Sequence, residues 1–171
     1  MVRITEASEA DLSIIHELAH IIWPKAYQDI LSPQQLSYML ESMYSIDALT
    51  SLYNEEGNQF LLASENERAI AFALYHPKEN EASVYRLSKI YVHPSSKGKG
   101  VGKMLVSHII NDITHKGALF LELNVNRNNP AVEFYKHLGF TVSGTQDIDI
   151  GNGYFMNDYV MRLRIGSSVS Q

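Results

Sequence analysis

Cysteine is missing from all 171 residues, which excludes a disulfide framework, a thiolate zinc site and a cysteine nucleophile. Basic residues are scarce: 14 Lys and Arg against 19 Asp and Glu leave a formal charge of -5. General nucleic-acid binding, which draws on surplus positive charge, is therefore not expected. No apolar run approaches the roughly 20 residues that a membrane-spanning helix needs. The opening MVRITEASEADL has no basic patch followed by an apolar stretch, and no Asn-x-Ser/Thr acceptor occurs anywhere. These absences predict a soluble, cytoplasmic protein with neither a membrane nor a nucleic acid as partner.

What is present suits one well-buried core, since 45% of the residues are hydrophobic. A single domain over 1–166 is predicted, with 167–171 as a frayed tail. Val2 to Glu6 alternates as a short strand, and Ser8 offers an N-cap for a helix to about Ile22, which Pro24 should bend or end. A second helical region starts at Ser32-Pro33 and runs to about Tyr53, with a break near Ser45. From Gln59 the period changes to that of strands: QFLLASE, a tight turn at Asn66-Glu67, AIAFALYH, then an extended run from Ala82 to Val92. Gly100 to His115 returns to helical spacing, and Ala118 to Val125 reads as a buried strand. Asn128 to His137 is a short helix with Pro130 in its first turn and Gly139 past its end. Two final strands, about Phe140 to Ile150 and Tyr154 to Ile165, meet at the hairpin signal Gly151-Asn152-Gly153. The order β-α-α-β-β-β-α-β-α-β-β describes a mixed α/β fold.

The chemistry concentrates in LSKIYVHPSSKGKGVGKML, residues 87–105, where a strand passes through a glycine-rich turn into a helix. Lys89, Lys97, Lys99 and Lys103 crowd this segment of an otherwise acidic chain, which points to a local anion site. The backbone N-H groups of Gly98 to Lys103, at the positive end of the helix dipole, suit a pyrophosphate. Glycine at Gly100 and Gly102 would let the phosphate approach the main chain. A dinucleotide fingerprint fails here, because Lys103 or Leu105 stands where its last glycine belongs. A P-loop fails at Lys97 and Met104.

These residues resemble the GNAT superfamily of N-acetyltransferases, whose signature is Arg or Gln, two residues, Gly, one residue, then Gly or Ala. Here it reads Lys97-Gly98-Lys99-Gly100-Val101-Gly102, with Lys in place of the usual first residue. A second family pattern, Asn followed by Ala and then Phe-Tyr-x-x-x-Gly-Phe, appears as NNPAVEFYKHLGF from Asn128 to Phe140. The resemblance implies a GNAT-type mixed, mostly antiparallel central sheet with helices on both faces, and acetyl-CoA as co-substrate. It implies that the pantetheine arm pairs with Ile90, Tyr91 and Val92, that Val101 lies within the diphosphate turn, that Asn128 hydrogen-bonds the arm and that Tyr135 protonates the departing thiolate. The activity implied is transfer of acetyl to a primary amine by direct attack in a ternary complex.

Many members of the family carry a Glu base on the strand before the turn, where this chain has Ser88 and Lys89, so Glu122 on the following strand is the candidate base. For the acceptor, Trp23, Tyr27, Tyr38, Met43 and Tyr44 could line an apolar slot, while Asp147, Asp149 and Asp158 could attract a cation. The early helices and GNGYFMNDYVM look similar to the PaiA-like polyamine acetyltransferase branch, which makes a polyamine one acceptor to consider. A non-catalytic acyl-CoA sensor remains a rival, and a homodimer stays open. His16-Glu17-Leu18-Ala19-His20 also fits the H-E-x-x-H pattern of zinc peptidases, but only a short lead-in precedes it and Pro24 soon follows, so no metal is expected.

Overall fold

The computed structural model describes residues 1–166; the predicted frayed tail, 167–171, lies outside the described residues. Alternating side chains place β1, Val2–Glu6, antiparallel to β2, Gln59–Glu65, which turns into β3, Arg68–Pro77. Asn66 and Glu67 both take positive φ, 51° and 63°, giving a turn whose twist matches its strands.

Between β1 and β2 lie three helices. Ser8 and Asp11 form a capping box around a single 3-10 turn, Glu9–Asp11, ahead of α1, Leu12–Ala26. The helix passes the predicted stop at Pro24 because a proline in the last turn forfeits one hydrogen bond without breaking the turns before it; Tyr27 N-H closes the end on the Trp23 carbonyl at 3.0 Å. Helix α2, Pro33–Tyr44, begins at Ser32, whose hydroxyl accepts from Gln35 N-H at 3.1 Å. Ser45 ends α2 and caps α3, Ile46–Asn54, by accepting from Ala48 N-H at 3.2 Å.

The remaining elements are β4 (Val84–Val92), a 3-10 turn (Pro94–Ser96), α4 (Val101–His115), β5 (Phe120–Asn126), α5 (Ala131–His137), β6 (Thr141–Gly151) and β7 (Tyr154–Arg164). β4 starts two residues later than predicted, because Asn80 takes a positive φ of 65° in the turn before it. The sheet order is β1-β2-β3-β4-β5-β7-β6. β4 and β5 pair in parallel over Val84↔Phe120 to Leu87↔Leu123, the arrangement that the α4 crossover requires. The other registers, β1 with β2, β2 with β3 and β7 with both β5 and β6, are antiparallel.

Contacts gather into two units: residues 1–76 with 89–108, and 77–88 with the chain from 109 onward. In the first, Ile15, Leu49, Phe60, Leu61 and Phe72 are fully buried. In the second, Ile109, Ile113, Leu121, Phe140 and Met161 fill the same role.

Ser45 serves two helix ends with one residue. Ser45→Ala is expected to cost about 1 kcal/mol, lowering the midpoint of thermal unfolding by roughly 2–4 °C in calorimetry, and Ser45→Asp should restore most of it.

Candidate functional site

In the first unit, Gly98 and Gly100 take φ of +77° and +79°, while a Cβ at either would meet nothing within 4 Å. Their requirement is thus set by the left-handed backbone. The left-handed backbone at Gly98 and Gly100 is a requirement additional to the close approach expected at Gly100. Gly102 lies inside the first turn of α4 and has no positive φ. The first helical bond runs from Met104 N-H to the Gly100 carbonyl at 3.0 Å, so the amides of Val101, Gly102 and Lys103 come before it, at the helix's positive end. Lys97, Lys99 and Lys103 are exposed around them, and an open groove runs over Ile4, Lys99, Gly100, Lys103, Ser107 and His108. Three amides at a helix start, a turn that only glycine adopts readily and mobile ammonium groups are a fitting donor set for a diphosphate.

The same unit gathers the predicted acceptor aromatics. Trp23 lies 4.6 Å from Tyr27, 5.2 Å from Tyr44 and 5.5 Å from Tyr91 between ring centroids. Phe72 stands 5.9 Å from Tyr44 and 5.7 Å from Tyr91. Tyr27 and Tyr91 share a hydroxyl hydrogen bond of 2.9 Å. Trp23 and Tyr44 are buried, so these rings pack on one another where an open slot was expected. Burial pushes the Tyr44 phenol well up, with the charge of Tyr27 adding to it. Over the Tyr44 ring, at 4.2 Å, sits the Lys89 ammonium; burial draws its pKa down to about 8. In sequence, Lys89 counts among the positive charges and stands, with Ser88, where many of the family carry a Glu. Strand alternation was the available signal, because Lys89 and Tyr91 are two residues apart on β4 and share a face. Tyr38 and Met43 are half-buried on α2.

In the second unit, Glu122 is 2% exposed and accepts from Arg86 at 2.5 Å, Arg162 at 2.6 Å and Lys78 at 3.3 Å. Glu81 completes the cluster, 2.7 Å from Lys78 and 3.2 Å from Arg162. Burial alone would raise the Glu122 carboxyl, but hydrogen bonds from Arg162 and Lys78, with the charge of Arg86, hold it below the usual range. A carboxylate held this way is a poor proton acceptor, and its predicted part as base does not fit these surroundings. Arg86 also donates to Asn124 at 2.6 Å, and Asn124 reaches Asp158 at 3.4 Å. Asp158 is 2% exposed, and burial raises its carboxyl above the ordinary value although Asn124 and Arg127 pull the other way. Asp147 pairs with Arg127 at 2.6 Å, and Asp149 accepts from Gly151 N-H. Asn128 is exposed and its N-H donates to Asn126; Asn129 makes the turn into α5 by accepting from Ala131 N-H at 2.9 Å. Tyr135 is 7% exposed, between Phe134 and Phe140.

His16 and His20 each spend Nδ1 on a backbone carbonyl, of Tyr44 at 2.6 Å and of His16 at 2.8 Å. No group of three or more potential ligands is placed to hold a metal among the described residues, and no helix among them is long and apolar enough to cross a membrane.

Glu122→Gln should leave Arg86 without its carboxylate and Lys78 and Arg162 with Glu81 alone, at a cost of about 3 kcal/mol, the low end for a buried pair because the cations are partly exposed. Since the folded carboxyl is held low, its stabilisation is complete above the unfolded value of about 4.3 and lost as pH falls through the folded value. Thermal unfolding followed against pH should fall more steeply on the acid side for the wild type than for Glu122→Gln.

The profile of the Acetyltransferase (GNAT) family matches residues 15–140. An uncharacterized N-acetyltransferase of Mycobacterium tuberculosis is 26% identical over 140 residues, covering 81% of this chain and 88% of that protein. The spermidine N(1)-acetyltransferase of Thermoplasma acidophilum is 28% identical over 153 residues, 86% and 93% of the two chains. In fold, the PaiA N-acetyltransferase of Thermoplasma acidophilum, solved in complex with coenzyme A, superimposes with a TM-score of 0.77 at 22% identity, over 96% of this chain and 99% of that one. The H-E-x-x-H stretch lies within α1 and within the residues that the family profile matches. With its glycine turn, its element order and more than half of its length matched, the chain belongs to the GNAT family of acetyltransferases.

Proposed function

We propose that this protein is an acetyl-CoA-dependent N-acetyltransferase acting on a primary amine, by direct attack in a ternary complex. The observation that carries the proposal is the amide array at the start of α4, set by left-handed Gly98 and Gly100 and ringed by Lys97, Lys99 and Lys103. These groups would hold the diphosphate of the coenzyme. The main chain of Ile90, Tyr91 and Val92 would pair with the pantetheine arm, with an N-H there meeting the charge that develops on the thioester oxygen; Asn128 would bind the arm. Tyr135 would give its proton to the departing thiolate, a step suited to a phenol that is neutral near pH 7.

A base that must take a proton from an ammonium needs raised proton affinity. That requirement favours Asp158, whose carboxyl burial raises, over Glu122, whose carboxyl is held low. A polyamine acceptor has the spermidine relative in its support. Other relatives carry other acceptors in their names: a peptidyl-lysine N-acetyltransferase of Salmonella typhimurium, 30% identical over 111 residues, and a ribosomal-protein alanine N-acetyltransferase of Haemophilus influenzae, 29% identical over 107.

Release of free thiol from acetyl-CoA in the presence of an amine panel is the expected result; binding without any release would favour the sensor reading. Tyr135→Phe should lower kcat about 100-fold with the KM for acetyl-CoA little changed, and an unchanged kcat would remove Tyr135 from the acid role. Asp158→Asn should abolish the acid limb of the kcat/KM profile, because an acting carboxylate must be ionised; a limb that persists would assign the proton transfer elsewhere.

A further inference from the structure

Besides its tyrosine hydroxyls, the aromatic cluster of the first unit holds two polar groups that can only donate, the Lys89 ammonium and the Trp23 indole N-H. Lys89 has no ion pair among the described residues; its one close electrostatic neighbour is the face of Tyr44, 4.2 Å away. Trp23, 3% exposed, has an indole N-H that is buried with no hydrogen-bond partner. The Tyr44 hydroxyl is a polar neighbour of the indole, but the pair does not reach hydrogen-bond geometry. A buried, unsatisfied donor costs free energy, and a desolvated ammonium costs more. Two such groups lie in one cluster, with no carboxylate paired to Lys89 among the described residues. Lys89 and Tyr91, both on β4, are the half-buried members and form the cluster's solvent-facing side.

We infer that Lys89 and Trp23 bind an anionic oxygen group of the acceptor, so that the preferred substrate carries a carboxylate as well as the amine that is acetylated. The inference rests on the acyltransfer reading and narrows its substrate class. An unpaired ammonium also repels a polycation, which sets the site against spermidine-like acceptors. The lowered pKa of Lys89, about 8, agrees with this: burial has weakened the charged form, and a bound carboxylate would restore it.

Matched acceptors that differ by one carboxylate test the inference: ornithine against putrescine, and lysine against cadaverine. The wild type should favour the carboxylate-bearing member of each pair in kcat/KM by roughly ten-fold or more, the range of a charge-assisted hydrogen bond. Lys89→Met should erase the preference through KM, Lys89→Arg should keep most of it, and Trp23→Phe should reduce it while retaining an aromatic ring. Equal use of both members, a preference for the diamines, or a preference that survives Lys89→Met would overturn the inference. So would a Lys89→Met variant that loses kcat equally on both, since the lysine would then act on the proton. Trp23 is the one tryptophan of the chain, so its emission reports occupancy without turnover. If no amine releases thiol, the acyltransfer reading fails by itself. The emission still decides the inference: a response to ornithine but not putrescine, lost in Lys89→Met, supports it, and no response to ornithine sinks it.

Discussion

An α-helix cannot satisfy the amides of its own first turn, and the candidate site is built around that deficit. Helix α4 begins directly after two left-handed glycines, so the amides of Val101, Gly102 and Lys103 precede its first internal bond. Water could solvate such a terminus. This chain instead surrounds it with exposed lysines in a protein that is acidic as a whole, a setting that suits a phosphate-bearing ligand. The glycine requirement is one of backbone conformation, so even alanine at Gly98 or Gly100 would disturb the turn, despite open space around each Cα.

A buried charge and a half-buried one are handled in opposite ways. Glu122 is neutralised within the chain: Lys78, Arg86 and Arg162 converge on it, so that removal from water is offset by hydrogen bonds on both oxygens. Lys89 has an aromatic face and no counter-ion among the described residues, and burial loosens its proton. The first arrangement ties β4, β5 and β7 through their side chains and suits a structural role. The second leaves an electrostatic demand unmet, as functional positions often do.

Much of the fold was legible because its punctuation is local. Ser32 caps the helix expected to begin there, Ser45 marks the expected break, Asn66-Glu67 and Gly151-Asn152-Gly153 make their turns, and α4 and β7 fall within a residue or two of their predicted spans. The misses are local contests with more than one good answer. Pro24 was tolerated in a final turn, and Asn129, next to the predicted Asn128, supplies the side chain that opens α5. The glycine turn could be read because its residues are contiguous. The surroundings of Glu122 could not, since its partners lie 36, 40 and 44 positions away in sequence. Lys89 was equally opaque: its meaning depends on Tyr44 and Trp23, which helices α1 and α2 deliver from far upstream.

The route of the chain through its two units constrains anyone who would dissect it. The polypeptide visits the first, the second, the first again and the second again, changing over after residues 76, 88 and 108. The second of these points falls inside β4 and the third inside α4. No single scission of the polypeptide isolates either half, and any split-protein or domain-exchange scheme that followed these borders would have to sever a strand and a helix in mid-course.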